Sequence, residues 1–391
     1  MMTNTHVFHA LGLHMHQPPG NLKLLIESNR WEAEQIIRCY ERAARYALEY
    51  PDSRLHVGFS GTLLEQFLDP AIVEAYRQFV DIPAMLESYR RAENVELIGM
   101  GYYHPIFPLI PREDWPEQLQ RGRAMIEQVF GRTPRGFWPP EMAFCMELIP
   151  DLVAAGYRYV VVDSVHVQPA DQVRDIYRPY QAVCEGQCIA VVPRDRDLSN
   201  AQESGLDPTW FNNEVRSKIT QSPHPQAPRL VTTWSDGENG GWFRQIHEAS
   251  GFFGHFFAPF MAEVRAGRST IRPVALSEYL EMHPPSVSAT VRTGAWNVGS
   301  TSGFDLSQWA GSEAQKRAVE DIAATSARYW HLAQREAALS SAAREALHRA
   351  RALILESETS CYLFWGESWI PQLYERLEPA QALLGEVERS G

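Results

Sequence analysis

The sequence predicts an α/β protein, with parallel strands alternating with helices in a barrel-like order and a helical bundle at the C-terminal end. Three observations carry this expectation. Short apolar runs alternate with longer amphipathic segments through the first 285 or so residues. Unusual polar and aromatic clusters fall directly after several of those runs. Beyond about residue 285 the texture changes to long stretches rich in Ala, Glu, Arg and Gln. Seven or eight short runs, most followed by a helical period, are the signature of parallel β/α units. The spacing suits a closed barrel, although an open doubly wound sheet has the same periodicity.

The strand-like runs are residues 6–13, 54–61, 95–101, 135–139, 157–163, 188–192, 229–235 and 271–279. Helical periods fall between them at 31–50, 72–92, 116–130, 144–155 and 243–266, where apolar residues recur on one face. The polar stretch 194–209 reads as a loop that could lie over a cleft. In the last third, 308–334 and 340–356 read as two long helices, and a third follows Pro371 to about Glu388. The expected division is therefore a catalytic barrel over 1–285 and a helical region over 286–391 that completes the cleft.

Composition narrows the function. The chain has 391 residues, of which 45% are apolar and 21% charged, as in an ordinary soluble globular protein. No run approaches the ~18–20 uninterrupted apolar residues of a membrane span. The N-terminal segment has no Lys or Arg and interrupts its apolar residues with His, Gln and Pro, so it reads as a first strand and not a leader. Net charge is −12 with no basic cluster, which excludes nucleic acid as a natural partner. Cys39, Cys145, Cys184, Cys188 and Cys361 are odd in number and scattered, as expected of free thiols in a reducing cytoplasm.

Chemistry-bearing residues gather in LHMHQPPG, GYYHPIFP, FWPPEMAF and WSDGENGGW, each at the end of a predicted strand. In a β/α barrel such segments line one rim, where these folds place their sites. Glu141 follows two prolines that stiffen the backbone, and Phe137, Trp138 and Phe144 surround it in the sequence. That setting suits a positioned nucleophile or an acid with a shifted pKa; the plainer alternative is a helix-starting glutamate. Asp236 is followed by Gly237 and, beyond Glu238 and Asn239, by Gly240, Gly241 and Trp242. Glycines there allow close backbone approach to a ligand, or simply a turn. Two carboxylates from different strands, one to attack or activate water and one to protonate the leaving oxygen, are what glycoside hydrolysis requires.

His14 and His16 alternate along the first strand and so share a face. With His104 they could bind a metal, with Asp163 as the evident acidic partner, or could hydrogen-bond sugar hydroxyls and orient the carboxylates. No helical HxxxH accompanies them, so no metal or other cofactor is expected. Trp296 and Trp309 read either as sugar platforms or as packing. Cys361, in ETSCYLFWGESW, reads as wall or core.

These motifs, in this order and spacing, resemble glycoside hydrolase family 57, and ETSCYLFWGESW resembles that family's fifth motif. The resemblance runs from residue 9 to about 370. It implies an incomplete (β/α)7 barrel followed by a helical bundle, acting on α-linked glucans with retention and without a catalytic metal. By motif, Glu141 matches the nucleophile and Asp236 the general acid/base. His14, His16, His104, Trp138 and Glu238 match positions around the sugar, with Trp242, Trp296 and Cys361 expected to complete the substrate-binding set. His104 stands where the family's 4-α-glucanotransferases tend to carry Glu, and Cys361 where many members carry Asp. The chain is also short for a branching enzyme. The expectation is therefore an amylase-like hydrolase of α-1,4-glucans or malto-oligosaccharides. A glucanotransferase or branching enzyme is the alternative, with a metal-dependent carbohydrate deacetylase or a silent glucan-binding protein more distant.

Overall fold

The computed structural model describes residues 7–296 and 304–390; His6 of the first predicted strand lies outside them. The strands are β1 (Val7–Met15), β2 (Leu55–Phe59), β3 (Val95–Gly99), β4 (Gly136–Phe137), β5 (Tyr159–Asp163), β6 (Val167–Pro169), β7 (Tyr180–Cys184), β8 (Gln187–Arg194), β9 (Arg229–Asp236), β10 (Ile271–Pro273) and β11 (Ala289–Val291). Seven of them lie side by side in parallel, in the order β9-β1-β2-β3-β4-β5-β8. Among the described residues no ladder joins β8 back to β9. A backbone bond from Asp195 N–H to Thr232 O (2.8 Å) and a bond from Arg194 Nε to Trp234 O (2.7 Å) cross that seam instead. The result is an incomplete (β/α)7 barrel, as the family resemblance implies, and not the closed one that spacing suited. β7 folds back antiparallel on β8, β10 continues the sheet beside the start of β1, and β11 pairs antiparallel with β6.

The strands read as continuous apolar runs because both faces are covered, and all five residues of β5 are buried. Inside the barrel, Ile98, Trp138, Tyr159, Val161, Leu230 and Trp234 pack as one cluster. Gly12 of β1 makes room for this: a Cβ there would lie 2.0 Å from the Trp234 indole.

Three expectations are corrected. Residues 271–279 are not one strand, because the ladder ends at Pro273 and a helix runs from Leu276 to Met282. Its first turn is held by tertiary partners, with Leu276 N–H bound to His56 Nε2 (2.8 Å) and Ser277 N–H to Glu96 Oε2 (3.1 Å). Residues 194–209 are not a loop either. Asp195 caps a helix over Arg196–Ser204 by accepting from Leu198 N–H, and its buried Leu198, Ser199 and Gln202 pack toward β9. Several long helical periods are broken at capping residues: Asp81 starts a new helix at Ile82, and Ser312 starts one at Glu313.

The helices Glu313–Ala333, Ser341–Ser357 and Ile370–Ser390 pack on one another through Leu332, Leu347, Ile354 and Leu384. They are tied to the barrel side by a buried ionic cluster. Asp114 accepts from Ser326 Oγ (2.6 Å), Trp330 Nε1 (2.8 Å) and Arg351 Nη1 (2.5 Å), and Arg351 Nε also donates to Glu117 (2.6 Å). This anchorage carries the 359–369 segment to the barrel rim, where Ser360 N–H binds His104 O (3.0 Å).

Candidate active site

A cavity of about 360 Å³ opens at the C-terminal ends of the strands. His14 and His16 reach it from the end of β1, Glu141 from the turn after β4, and Asp236 and Glu238 from the end of β9 and the turn beyond. Trp296, Cys361, Trp365 and Trp369 enter from the last third of the chain. Five residues from three remote segments of the chain therefore converge because parallel strands all point their C-terminal ends the same way.

Glu141 sits in left-handed backbone (φ 56°), as does Met142 after it (φ 53°). A non-glycine residue holds that conformation only where its surroundings impose it, and such positions concentrate at functional sites. Here Pro139 and Pro140 carbonyls close tight turns onto Met142 and Ala143. Trp296 then grips Glu141 twice, its backbone N–H on the Glu141 carbonyl (3.0 Å) and its indole Nε1–H on Oε2 (2.7 Å). Burial, and then the charge of Asp236, push the Glu141 carboxyl up to about 8 against the pull of the indole donor.

Asp236 is held in the opposite sense. Burial acts to raise its pKa, but His14 Nδ1 on Oδ1 (2.9 Å), Asn239 Nδ2 on Oδ2 (2.8 Å) and the charge of Arg194 outweigh it and leave it below its usual value. Glu238 takes the backbone N–H of His16 on Oε1 (2.8 Å), and burial followed by the Asp236 charge drives it well above the usual carboxylate range. Glu203, on the helix after β8, is pushed to about 6 by burial and by Asp236. The pocket thus separates its acids: Asp236 keeps the charge and Glu141 keeps a proton.

Behind these groups stands a layer of histidines. His14 Nε2 meets His104 Nε2 at 2.7 Å, and His104 Nδ1 meets Ser360 Oγ at 2.7 Å. His16 stacks on His104 (centroids 3.8 Å apart, planes 8° off parallel) and bonds Ser60 Oγ and Cys361 Sγ. Burial, then neighbouring imidazoles, hold His16 and His104 well below the usual range. Burial and the nearby Glu141 push the Cys361 thiol up to about 12, so it stays protonated.

Of the residues singled out in the sequence, His14, His16, Glu141, Asp236, Glu238, Trp296 and Cys361 line the cavity. His104 and Trp138 are fully buried beneath it, Trp138 stacked on His14 (5.4 Å). Trp242 is half-buried with its ring edge-on to His255, apart from the cavity wall, and Trp309 is in the core. Asp163 is buried in an ion pair with Arg194 (3.2 Å). Among the described residues no group of three His, Cys, Asp or Glu side chains could hold a metal ion. The Asn297–Gly299 end of the GAWNVG motif lies outside the described residues.

The sequence reading did not single out Asn239, Ser360, Trp365 and Trp369, which sit inside its motifs, nor Arg244, two residues beyond WSDGENGGW. Arg194, which ends β8 beside its ion-pair partner Asp163, obeys the same strand-end rule that found Asp236. Glu32, also on the cavity wall, comes from the first turn of a helix, where an acidic residue is ordinary and leaves no functional signal.

Residues 4–291 match the family model for glycosyl hydrolase family 57. An alpha-amylase of Pyrococcus horikoshii is 28% identical over 76% of this chain and 43% of its own length. A 4-alpha-glucanotransferase of Thermococcus kodakarensis is 27% identical over 76% of this chain and 41% of its own. The chain thus spans about two-fifths of the length of these relatives. In three dimensions it is similar to a branching enzyme of the same family from Thermococcus kodakaraensis, with a TM-score of 0.74, 16% identity, and 98% and 90% of the two chains covered.

Proposed function

The chain belongs to glycosyl hydrolase family 57, and on that footing we propose that it is a retaining, amylase-like hydrolase of α-1,4-linked glucans. The observation that carries the reading is the pair Glu141 and Asp236, facing one cavity from different strands and each held by its own donor, Trp296 and His14. In the free protein the pair's one proton rests on Glu141, and the reacting form carries it on Asp236: Asp236 donates it to the glycosidic oxygen while the Glu141 carboxylate attacks the anomeric carbon, giving a covalent glycosyl-enzyme. Asp236, now a carboxylate, then takes a proton from the incoming water, which displaces Glu141 and restores the anomeric configuration. Trp296 holds Glu141 at its attacking position, and the N–H of His14 stabilises the charge that returns to Asp236 after each proton transfer. Trp365 and Trp369, ring centroids 6.1 Å apart, offer sugars an aromatic wall.

We read residues 1–285 as the catalytic barrel and 286–391 as the helical region that closes the cleft with Ser360, Cys361 and these tryptophans. All five cysteines are free, in keeping with a reducing cytoplasm and stored glucan such as glycogen as substrate. No described helix is long and apolar enough to cross a membrane.

The test is a defined malto-oligosaccharide, with products resolved by chain length and reducing ends counted. Shorter products with new reducing ends support hydrolysis. Longer and shorter products at constant reducing ends assign a glucanotransferase on the same two carboxylates. No turnover of any α-glucan overturns the reading.

The pair must hold one proton to act, and in the free enzyme the coupled pair loses it as pH rises through about 8. A second proton joins only below the usual Asp range, since Asp236 is depressed. The profile of kcat/KM is therefore expected to stay level through neutral pH and fall above about pH 8; a fall beginning near pH 6 contradicts this electrostatic account.

A further inference from the structure

We propose that His104, closed on its far side by Ser360, is a positioning residue that holds His14 in the one ring orientation and tautomer presenting an N–H to Asp236. The inference rests on the reading of Asp236 as the acid/base.

The argument is one of donor and acceptor parity. An ionised Asp236 can only accept, so the 2.9 Å contact requires hydrogen on His14 Nδ1. A neutral His14 then has a bare Nε2, which needs a donor, and His104 Nε2 stands 2.7 Å away. His104 with hydrogen on Nε2 has a bare Nδ1, and the Ser360 hydroxyl fills it at 2.7 Å. The four groups make one directed chain, each link setting the next.

His104 is itself fixed from three sides. Its backbone is in left-handed conformation (φ 58°), stapled by its own N–H to Gly101 O (3.0 Å) and by Ser360 N–H on its carbonyl (3.0 Å). Its ring lies flat against His16, whose two nitrogens are engaged by Ser60 and Cys361. A bridge between Pro105 and Thr359 fastens the two strands of this contact. His104 has no exposed surface and does not reach the cavity, so its influence on the reaction passes through His14. If the chain is broken, His14 is free to carry its hydrogen on Nε2. A lone pair then faces the Asp236 carboxylate, which loses the donor that steadies its charge.

The test is histidine 15N spectroscopy of the full chain at pH 8 together with steady-state kinetics. In the unaltered protein His14 should carry hydrogen on Nδ1 alone and His104 on Nε2 alone; the reverse tautomer, or a doubly protonated ring, in either overturns the proposal. His104→Leu should mix the His14 tautomers and lower kcat about tenfold to a hundredfold with KM changed by less than about twofold. His104→Gln, whose side-chain amide can still donate to His14, should recover most of that loss. An unchanged kcat in the Leu variant, or a Gln variant as impaired as Leu, overturns it. Should the Leu variant fail to fold, Ser360→Ala carries the test: the His104 tautomer should mix and kcat fall a few-fold, and an unaltered spectrum counts against us. If the protein turns over no α-glucan, the proposed function fails, while the tautomer spectra still decide the positioning role.

Discussion

Glu141→Gln is expected to lower kcat on malto-oligosaccharides by about 10⁴-fold or more while leaving the fold intact. The amide keeps the size of the carboxylate and can still accept from the Trp296 indole, which now bonds Oε2 at 2.7 Å. What it cannot do is attack the anomeric carbon. Melting temperature near neutral pH should hold, because the amide replaces a carboxyl that burial and the Asp236 charge already keep protonated below about pH 8. A second variant separates nucleophile from scaffold. Glu141→Ala supplied with azide should form a β-glycosyl azide from an α-linked substrate bearing a good leaving group, since the small anion can enter the vacated space. Near-normal turnover by the Gln variant would falsify the assignment, and an inactive Ala variant that azide does not rescue would move Glu141 to a supporting role.

The largest loss of stability is expected from Arg351→Met. Arg351 is buried between Asp114 and Glu117, and its guanidinium lies 4.9 Å from the ring centres of both Tyr329 and Trp330. Methionine fills part of the volume but leaves Asp114 as an uncompensated charge with no exposed surface. Removing one partner of such a pair typically costs about 3–5 kcal/mol, whereas replacing both is close to neutral. Denaturant titration should therefore show the full loss in the single variant and partial recovery in Arg351→Met/Asp114→Asn. Equal midpoints for single variant and parent contradict the account. Activity should also suffer at temperatures below global unfolding, because this cluster anchors the helices that deliver Ser360 and the tryptophans to the rim.

Much of the fold was legible because it rests on local pattern. A strand covered on both faces tends to be apolar along its length, as β5 is from Tyr159 to Val162, and a helix covered on one face must show a period near 3.6. The candidate site was legible for a related reason. Strand ends on one rim are the only places where His14, Glu141 and Asp236, drawn from remote segments, come together, and each stood beside prolines, glycines or tryptophans that local structure alone does not call for. Where the reading failed, the deciding partners were far away in the chain. The segment 271–279 has strand-like composition, yet its second half is a helix because His56 and Glu96 receive its first amides. The stretch 194–209 is polar enough for a loop, yet Ser199 and Gln202 find their hydrogen bonds on β9 and pay for burial there.

The sequence by itself determined the β/α alternation, the strand-end placement of the histidines and carboxylates, and the helical character of the last third, since these follow from spacing and side-chain type. Only the tertiary structure decided which acid keeps its charge, because that depends on Trp296 and His14 approaching from 155 and 222 residues away. It also turned Trp242 onto His255 instead of the cavity wall, and brought Ser360 across 256 residues to His104. Hydrogen bonding and desolvation act over a few ångströms of space, whatever the distance along the chain, and that is why no local pattern could announce them.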